Sequence, residues 1–113
     1  MITLWHNPRC SKSRQTLALI EAAGVAHSVR KYLEDAPTVA ELEAAQKALG
    51  LPVIEMLRPK EKLFKGLGLN RIDDDGALLA AAAANPILIE RPIAFDGDRA
   101  IIGRPPEAVQ ALF

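Results

Sequence analysis

Residues 2–23 read ITLWHNPRCSKSRQTLALIEAA and carry the clearest structural signals of the chain. The run Ile2–Trp5 favours a β-strand, which should end at the His-Asn-Pro sequence that follows it. Apolar residues then recur at helical spacing and predict a helix over Ser11–Ala23, with Gly24 as its natural C-terminal stop. The only cysteine of the chain, Cys10, therefore lies between a strand and the helix that follows it.

The following segments extend this strand and helix into a β-α-β unit. A second β-favouring run at residues 27–32 should pair in parallel with the first strand, because a helical crossover brings the chain back in the same direction. A capping box at Thr38–Glu41 predicts a further helix that runs to Leu49. Near the C-terminus, the runs Pro92–Phe95 and Arg99–Ile102 flank Asp-Gly-Asp and predict a β-hairpin. Shorter helices are predicted at residues 52–57, 61–66, 73–84 and 105–113.

These elements predict an α/β fold with a small mixed sheet of about four strands. Two strands come from the β-α-β unit and two from the hairpin, and the helices between them form an all-helical insertion. The order of elements is that of thioredoxin-like folds, which include the glutaredoxin-like ones. Because 113 residues suit one hydrophobic core, we predict a single domain over residues 1–113.

The composition argues against nucleic-acid and membrane binding. Fourteen Lys and Arg residues balance fourteen Asp and Glu residues, so the chain lacks the positive field that coating of DNA or RNA requires. The longest apolar run, Ala77–Ala84, has eight residues, whereas a transmembrane helix needs about 20. No basic and apolar leader opens the sequence, so we expect a cytoplasmic protein, and we expect it to be a monomer.

The position of Cys10 predicts a reactive thiol. A single cysteine cannot form an intramolecular disulfide or a cysteine-rich metal site, and we expect neither a metal nor a bound cofactor. Free N–H groups and the positive end of the helix dipole favour a thiolate at the start of a helix. Arg9, Lys12 and Arg14 add positive charge to the same segment. We therefore predict that Cys10 is a nucleophile and not a packing residue.

The spacing around Cys10 excludes several thiol chemistries. A redox dithiol needs a second cysteine three positions on, where this chain has Ser13, so a mixed disulfide on Cys10 cannot be resolved internally. Phosphatase loops carry an arginine six positions after the cysteine, where this chain has Thr16. Neither His6 nor His27 lies far downstream, as a papain-like hydrolase would require. What remains is one-cysteine chemistry with an external thiol.

Four blocks of the sequence carry a family resemblance. They are His6-Asn-Pro-Arg-Cys-Ser-Lys-Ser-Arg14 with Thr16-Leu17, Leu57-Arg58, Asn85-Pro-Ile-Leu-Ile-Glu-Arg-Pro-Ile93, and Gly103-Arg-Pro-Pro-Glu107. In this order, and from about Ile2 to Val109, they resemble the glutaredoxin-dependent, ArsC-like arsenate reductase family. The Arg-Cys-Ser-Lys-Ser loop is closer to a shorter branch of that family. Four blocks in register are far more specific than any single motif.

The resemblance implies roles for individual residues. Cys10 would attack arsenate, and His6 would help to hold it as a thiolate. The peptide bond between Arg91 and Pro92 would be cis. Three arginines would bind the oxyanion, which suits guanidinium groups because their paired donors match a tetrahedral anion. These arginines are Arg58, Arg91 and Arg104. Arg14 is a further predicted ligand, although its place early in the helix also suits a role in bracing the loop.

The predicted function is the thiol-dependent reduction of arsenate to arsenite, a step in arsenic detoxification. Glutathione would serve as co-substrate and a glutaredoxin as partner. One alternative is a glutaredoxin-like thiol transferase, which needs Cys10 but not the three arginines. A second is a regulator of the Spx type that docks on a protein partner. Such regulators commonly carry a Cys-x-x-Cys switch, and Ser13 argues against one here.

Overall fold

The computed structural model describes all 113 residues, which fold into two compact units. The first unit joins Met1–Asp35 to Arg91–Phe113, and the second is the segment between them, Ala36–Glu90. Every helix is too short or too polar to cross a bilayer. The single domain over residues 1–113 stays a prediction.

A mixed four-stranded sheet forms the first unit, as predicted. Its strands are β1 (Ile2–Trp5), β2 (His27–Arg30), β3 (Ile93–Asp96) and β4 (Arg99–Ile102). They lie in the order β2-β1-β3-β4, with β1 parallel to β2 and antiparallel to β3, and with β3 antiparallel to β4. Helix α1 (Ser11–Ala22) connects β1 to β2, and a 3₁₀ helix (Pro106–Leu112) follows β4. The α/β, thioredoxin-like fold is therefore confirmed.

One face of the sheet packs against α1 and the 3₁₀ helix that follows β4. Side chains alternate between the two faces of a strand, so Ile2 and Leu4 of β1 point to the same side. They form a buried cluster with Ile20 of α1 and with Val109 and Leu112 of the 3₁₀ helix. This packing holds α1 against β1 and thereby fixes the loop that connects them.

Several predicted boundaries in the first unit are wrong by one or two residues. The strand predicted over residues 27–32 ends at Arg30, because β1 has no residue left to pair with beyond that point. The hairpin turn is one residue shorter than predicted, since Asp96 pairs directly with Arg99. Of the two residues between them, Gly97 has a φ of +62°, which favours glycine because it has no Cβ to clash.

The second unit is helical, as predicted. It contains α2 (Val39–Leu49), α3 (Lys62–Gly66) and α4 (Asp75–Ala84), with 3₁₀ helices at Val53–Met56 and Pro86–Leu88. The predicted capping box opens α2: Thr38 Oγ1 accepts from the Glu41 N–H (3.1 Å), and Glu41 Oε1 accepts from the Thr38 N–H (3.1 Å). Gly50 ends this helix with a φ of +67°. Asp74 caps α4 by accepting from the Ala77 N–H (3.0 Å).

An antiparallel contact that the sequence analysis does not predict joins two loops of the second unit. Leu57 and Ile89 form an isolated β-bridge. Backbone hydrogen bonds of 2.7 and 2.8 Å between the segments 56–58 and 88–90 flank it. The bridge fixes the backbone of Arg58, one of the three predicted oxyanion ligands.

Candidate active site

Cys10 is the N-cap residue of α1 and closes a tight turn after β1. The N–H of Cys10 donates to the backbone oxygen of Asn7 (3.0 Å), and Asn7 Oδ1 accepts from the N–H of Arg9 (3.0 Å). Asparagine favours such turns because its short side chain can bond a backbone N–H two residues on. The helix then begins with a hydrogen bond from the Arg14 N–H to the Cys10 oxygen (3.0 Å). Only 8% of the Cys10 surface is exposed.

Two of the three predicted arginines converge on this cysteine. Arg104 Nη2 lies 4.0 Å from Cys10 Sγ, and Arg104 Nε donates to the backbone oxygen of Arg91 (2.9 Å). The guanidinium of Arg91 acts on the same sulfur through its charge and a hydrogen bond. The peptide bond Arg91–Pro92 is cis, as the resemblance implies, and so is Arg104–Pro105. The structure thus brings Cys10, Arg91 and Arg104 together.

The surroundings of Cys10 favour the thiolate. Burial by itself would raise the pKa of the thiol, but the backbone N–H of Ser13, the charge and hydrogen bond of Arg91, and the backbone N–H of Lys12 outweigh it. The net effect lowers the pKa of Cys10 below its ordinary value. The expected stabilisation by the helix start is present. The cation that lowers the pKa of Cys10 most is Arg91, which is remote in sequence, and not one of the cations next to Cys10 in the chain.

His6 contacts a serine that the sequence analysis did not assign to the site. Its Nδ1 lies 2.6 Å from Ser13 Oγ, and both side chains are buried. The same hydroxyl oxygen accepts from the N–H of Asn7 (3.0 Å). Because the backbone N–H of Ser13 stabilises the Cys10 thiolate, His6 braces the residue that carries this donor. The sequence signal for this contact is the hydroxyl of Ser13 in the first turn of the helix, because a side chain there can reach back to the preceding loop.

The imidazole of His6 favours its neutral form. Burial is the main cause that lowers its pKa, and the charges of Lys31 and Arg14 lower it further, against a smaller opposing effect of Glu21. A neutral imidazole contributes hydrogen bonding and not a positive charge. The thiolate-holding role that the resemblance implies for His6 stays a prediction, and its hydrogen bond to Ser13 is the geometry available for it.

The cations nearest to Cys10 in the chain have different surroundings. Arg14 Nη1 donates to the backbone oxygen of Pro8 (2.9 Å) and so braces the loop before Cys10. This is one of the two roles left open for Arg14, and its contact with an oxyanion stays a prediction. The side chains of Arg9 and Lys12 are exposed.

Arg58, the third predicted arginine, lies in the second unit and is paired there with two carboxylates. Its Nη1 is 2.9 Å from Glu61 Oε2, and its Nε is 4.0 Å from Glu90 Oε1. The guanidinium has five N–H donors, so these contacts leave donors available to an anion. Its role as an oxyanion ligand stays a prediction.

The arrangement in the first unit suits nucleophilic attack on an anion. A thiolate alone would repel an oxyanion, but the two guanidinium groups at Cys10 offset that repulsion and supply paired hydrogen-bond donors. N–H groups at the start of α1 add a further attraction for negative charge. No cluster of three or more His, Cys, Asp or Glu side chains is placed to hold a metal ion.

Comparison with known proteins finds one family over nearly the whole chain. The ArsC family model matches residues 5–112. The chain is 44% identical over 110 residues to an arsenate reductase of Haemophilus influenzae, covering 96% of this chain and 95% of that protein. It is 45% identical over 113 residues to an arsenate reductase of Neisseria meningitidis serogroup A, covering 98% and 97%.

A solved structure is similar over the same extent. The arsenate reductase from Vibrio cholerae superposes with a TM-score of 0.95 at 49% identity, and the match covers 99% of this chain and 97% of that one. At this level of likeness, the fold is shared.

Proposed function

This chain belongs to the ArsC family, and from that membership we propose that it reduces arsenate to arsenite, with the Cys10 thiolate as nucleophile and glutathione as the source of electrons. A glutaredoxin would be its protein partner, and arsenic detoxification its role. The relatives named arsenate reductase, at 44% and 45% identity over nearly their whole length, support the activity.

One observation carries the proposal: two guanidinium groups and the Cys10 sulfur share one small site. Arg104 Nη2 is 4.0 Å from Cys10 Sγ. The charge and hydrogen bond of Arg91 lower the pKa of the same thiol, against the opposite effect of burial. Arsenate is a tetrahedral anion, and guanidinium groups bind such anions with paired hydrogen bonds. A glutaredoxin-like thiol transferase would need Cys10 but neither arginine, so the dependence on arginine separates the two functions.

The proposed reaction balances with one cysteine and an external thiol. The Cys10 thiolate attacks arsenic, an arsenate oxygen leaves as water, and a Cys10–S–As(V) adduct forms. A glutathione thiolate then attacks the Cys10 sulfur. The S–As bond breaks, its electron pair stays on arsenic, and arsenite leaves. Cys10 remains in a mixed disulfide with glutathione, which a glutaredoxin thiol releases by exchange. The chain has no second cysteine for an internal route.

Other residues have supporting roles in this proposal. Neutral His6 would hold Ser13 through their 2.6 Å contact, so that the Ser13 N–H stays directed at the thiolate. Arg58 and Arg14 would add oxyanion contacts, as the resemblance implies for Arg58. The monomeric state and the cytoplasmic location stay predictions.

Arsenate reduction in the presence of glutathione and a glutaredoxin tests the proposal. We expect arsenite from the wild type and none from Cys10→Ser. Arg91→Ala should weaken the binding of the anion by roughly 1.5–3 kcal/mol, because it removes a charge-assisted contact, which corresponds to about one to two decades in affinity. Arg99→Ala is the matched control, since Arg99 is exposed and pairs with Asp96 at the hairpin (3.3 Å).

The outcomes separate the alternatives. A wild-type protein that forms no arsenite with any thiol would contradict the proposal. Thiol transfer that needs Cys10, in a wild-type protein that forms no arsenite, would favour the glutaredoxin-like function. Repeated turnover with no added thiol would contradict the mechanism, because one cysteine cannot supply two electrons in every cycle.

A further inference from the structure

Gly103 is buried at the end of β4, directly before Arg104, and its surroundings leave no space for a side chain. A Cβ at this position would lie 2.5 Å from Thr16 Oγ1 and 2.8 Å from Pro92 Cγ, closer than side-chain carbons approach other atoms. Backbone conformation does not account for the glycine. The glycines with positive φ are Gly24, Gly50, Gly68 and Gly97.

The two residues that a Cβ at Gly103 would meet belong to segments that form the candidate active site. Thr16 lies in α1, and its hydroxyl donates to the backbone oxygen of Lys12 (2.9 Å) in the first turn after Cys10. Pro92 directly follows Arg91. The N–H of Gly103 donates to the backbone oxygen of Pro92 (2.9 Å), so the two strand ends are joined at this point.

We propose that Gly103 is a positioning residue: its missing side chain lets the segments that carry Arg91 and Arg104 close against α1, so that both guanidinium groups reach Cys10. This inference rests on the proposed function, because it assumes that the site formed by Cys10, Arg91 and Arg104 binds an oxyanion. Arg104 Nη2 is 4.0 Å from Cys10 Sγ, which is long for a hydrogen bond. A methyl group at Gly103 would push α1 away from these segments, and the longer distance would weaken the attraction between the guanidinium groups and the thiolate.

Gly103→Ala tests this inference through the reactivity of Cys10 in the full chain. We expect the pH midpoint of iodoacetamide alkylation to move towards that of a free cysteine, and the rate at pH 7 to fall roughly threefold or more. Sulfate should protect Cys10 less well, with half-protection at roughly threefold to tenfold higher concentration. Gly66→Ala is the control, because a Cβ at Gly66 meets nothing within 4 Å, and it should change neither quantity.

A second substitution separates positioning from a loss of stability. Thr16→Ala removes the nearest atom to the new methyl group, so the double variant Thr16→Ala/Gly103→Ala should recover part of the lost rate. Thermal unfolding of every variant reports stability independently. If Gly103→Ala does not fold, the double variant is compared with Thr16→Ala, and a raised midpoint is still expected because the Pro92 contact remains.

The inference is overturned if folded Gly103→Ala has the same alkylation midpoint and the same protection by sulfate as the wild type. Where only the double variant folds, the inference is overturned if its midpoint and protection equal those of Thr16→Ala. Because alkylation needs no arsenate, this outcome differs from a failure of the proposed function. A wild type without arsenate turnover would remove the function and leave the alkylation result unaffected.

Discussion

Cys10 combines burial with a favoured negative charge, and the balance decides its reactivity. Burial alone would raise the pKa of the thiol, but the backbone N–H groups of Ser13 and Lys12 and the charge and hydrogen bond of Arg91 together lower it by more. Only the thiolate is nucleophilic, so the reaction rate should persist as the pH falls, until the pH passes below the lowered pKa. We expect an alkylation midpoint below the value of about 8.5 for free cysteine. Arg91→Ala should move it upwards, and a wild-type midpoint at or above the free value would contradict this account.

For individual residues, the sequence identifies the members of the site more reliably than it predicts the contacts between them. Cys10, Arg91 and Arg104 are identifiable from their blocks, and the structure brings all three together. Proximity in the chain does not identify the cation that acts most strongly on Cys10, because that cation is Arg91, which is remote in sequence. The contact of His6 with Ser13 was missed for a related reason, because a helical turn folds the hydroxyl back onto the loop.

Among the secondary-structure elements, α2 shows how a local signal becomes stability. The capping box satisfies two backbone N–H groups that a helix start would otherwise leave without partners. Thr38→Ala should therefore lower the free energy of unfolding by about 1 kcal/mol, measured by urea denaturation. Thr38→Ser keeps the hydroxyl and should retain most of the stability. Equal stability of Thr38→Ala and wild type would show that the box contributes nothing.

Elements with such local signals are the ones that the sequence predicts well. The stop at Gly50 and the cap at Asp74 depend on residues within one turn of the helix end, and both are confirmed. The end of β2 at Arg30 depends instead on the length of β1, a partner remote in sequence. The bridge between Leu57 and Ile89 has no periodic pattern at all, so only the folded chain reveals it.

For the molecule as a whole, the zero net charge hides an uneven distribution. The first 20 residues contain no Asp or Glu but include Arg9, Lys12 and Arg14. Arg14 is engaged with the backbone of Pro8, whereas Arg9 and Lys12 are exposed beside Cys10. An exposed cation acts over about 8 Å at physiological salt, which reaches a molecule that approaches the thiolate. Anionic reactants such as glutathione should benefit from it.

Disulfide exchange measures this effect without arsenate. The Cys10 thiolate is reacted with glutathione disulfide, which is anionic, and with cystamine, which is cationic. Both probes report the same thiolate, so any change in its pKa cancels in the ratio of their rates. Lys12→Glu should shift that ratio towards cystamine by roughly threefold to tenfold at low salt, and the shift should fade near 1 M salt as the charges are screened. Arg99→Glu makes the same charge change at the hairpin. Arg99 pairs with Asp96 beside the first residue of β1, whereas Cys10 follows the last residue of that strand, so this variant should leave the ratio unchanged. An identical ratio in wild type and Lys12→Glu would contradict this account and would leave the guanidinium groups of Arg91 and Arg104 as the cations that attract an anionic reactant to Cys10.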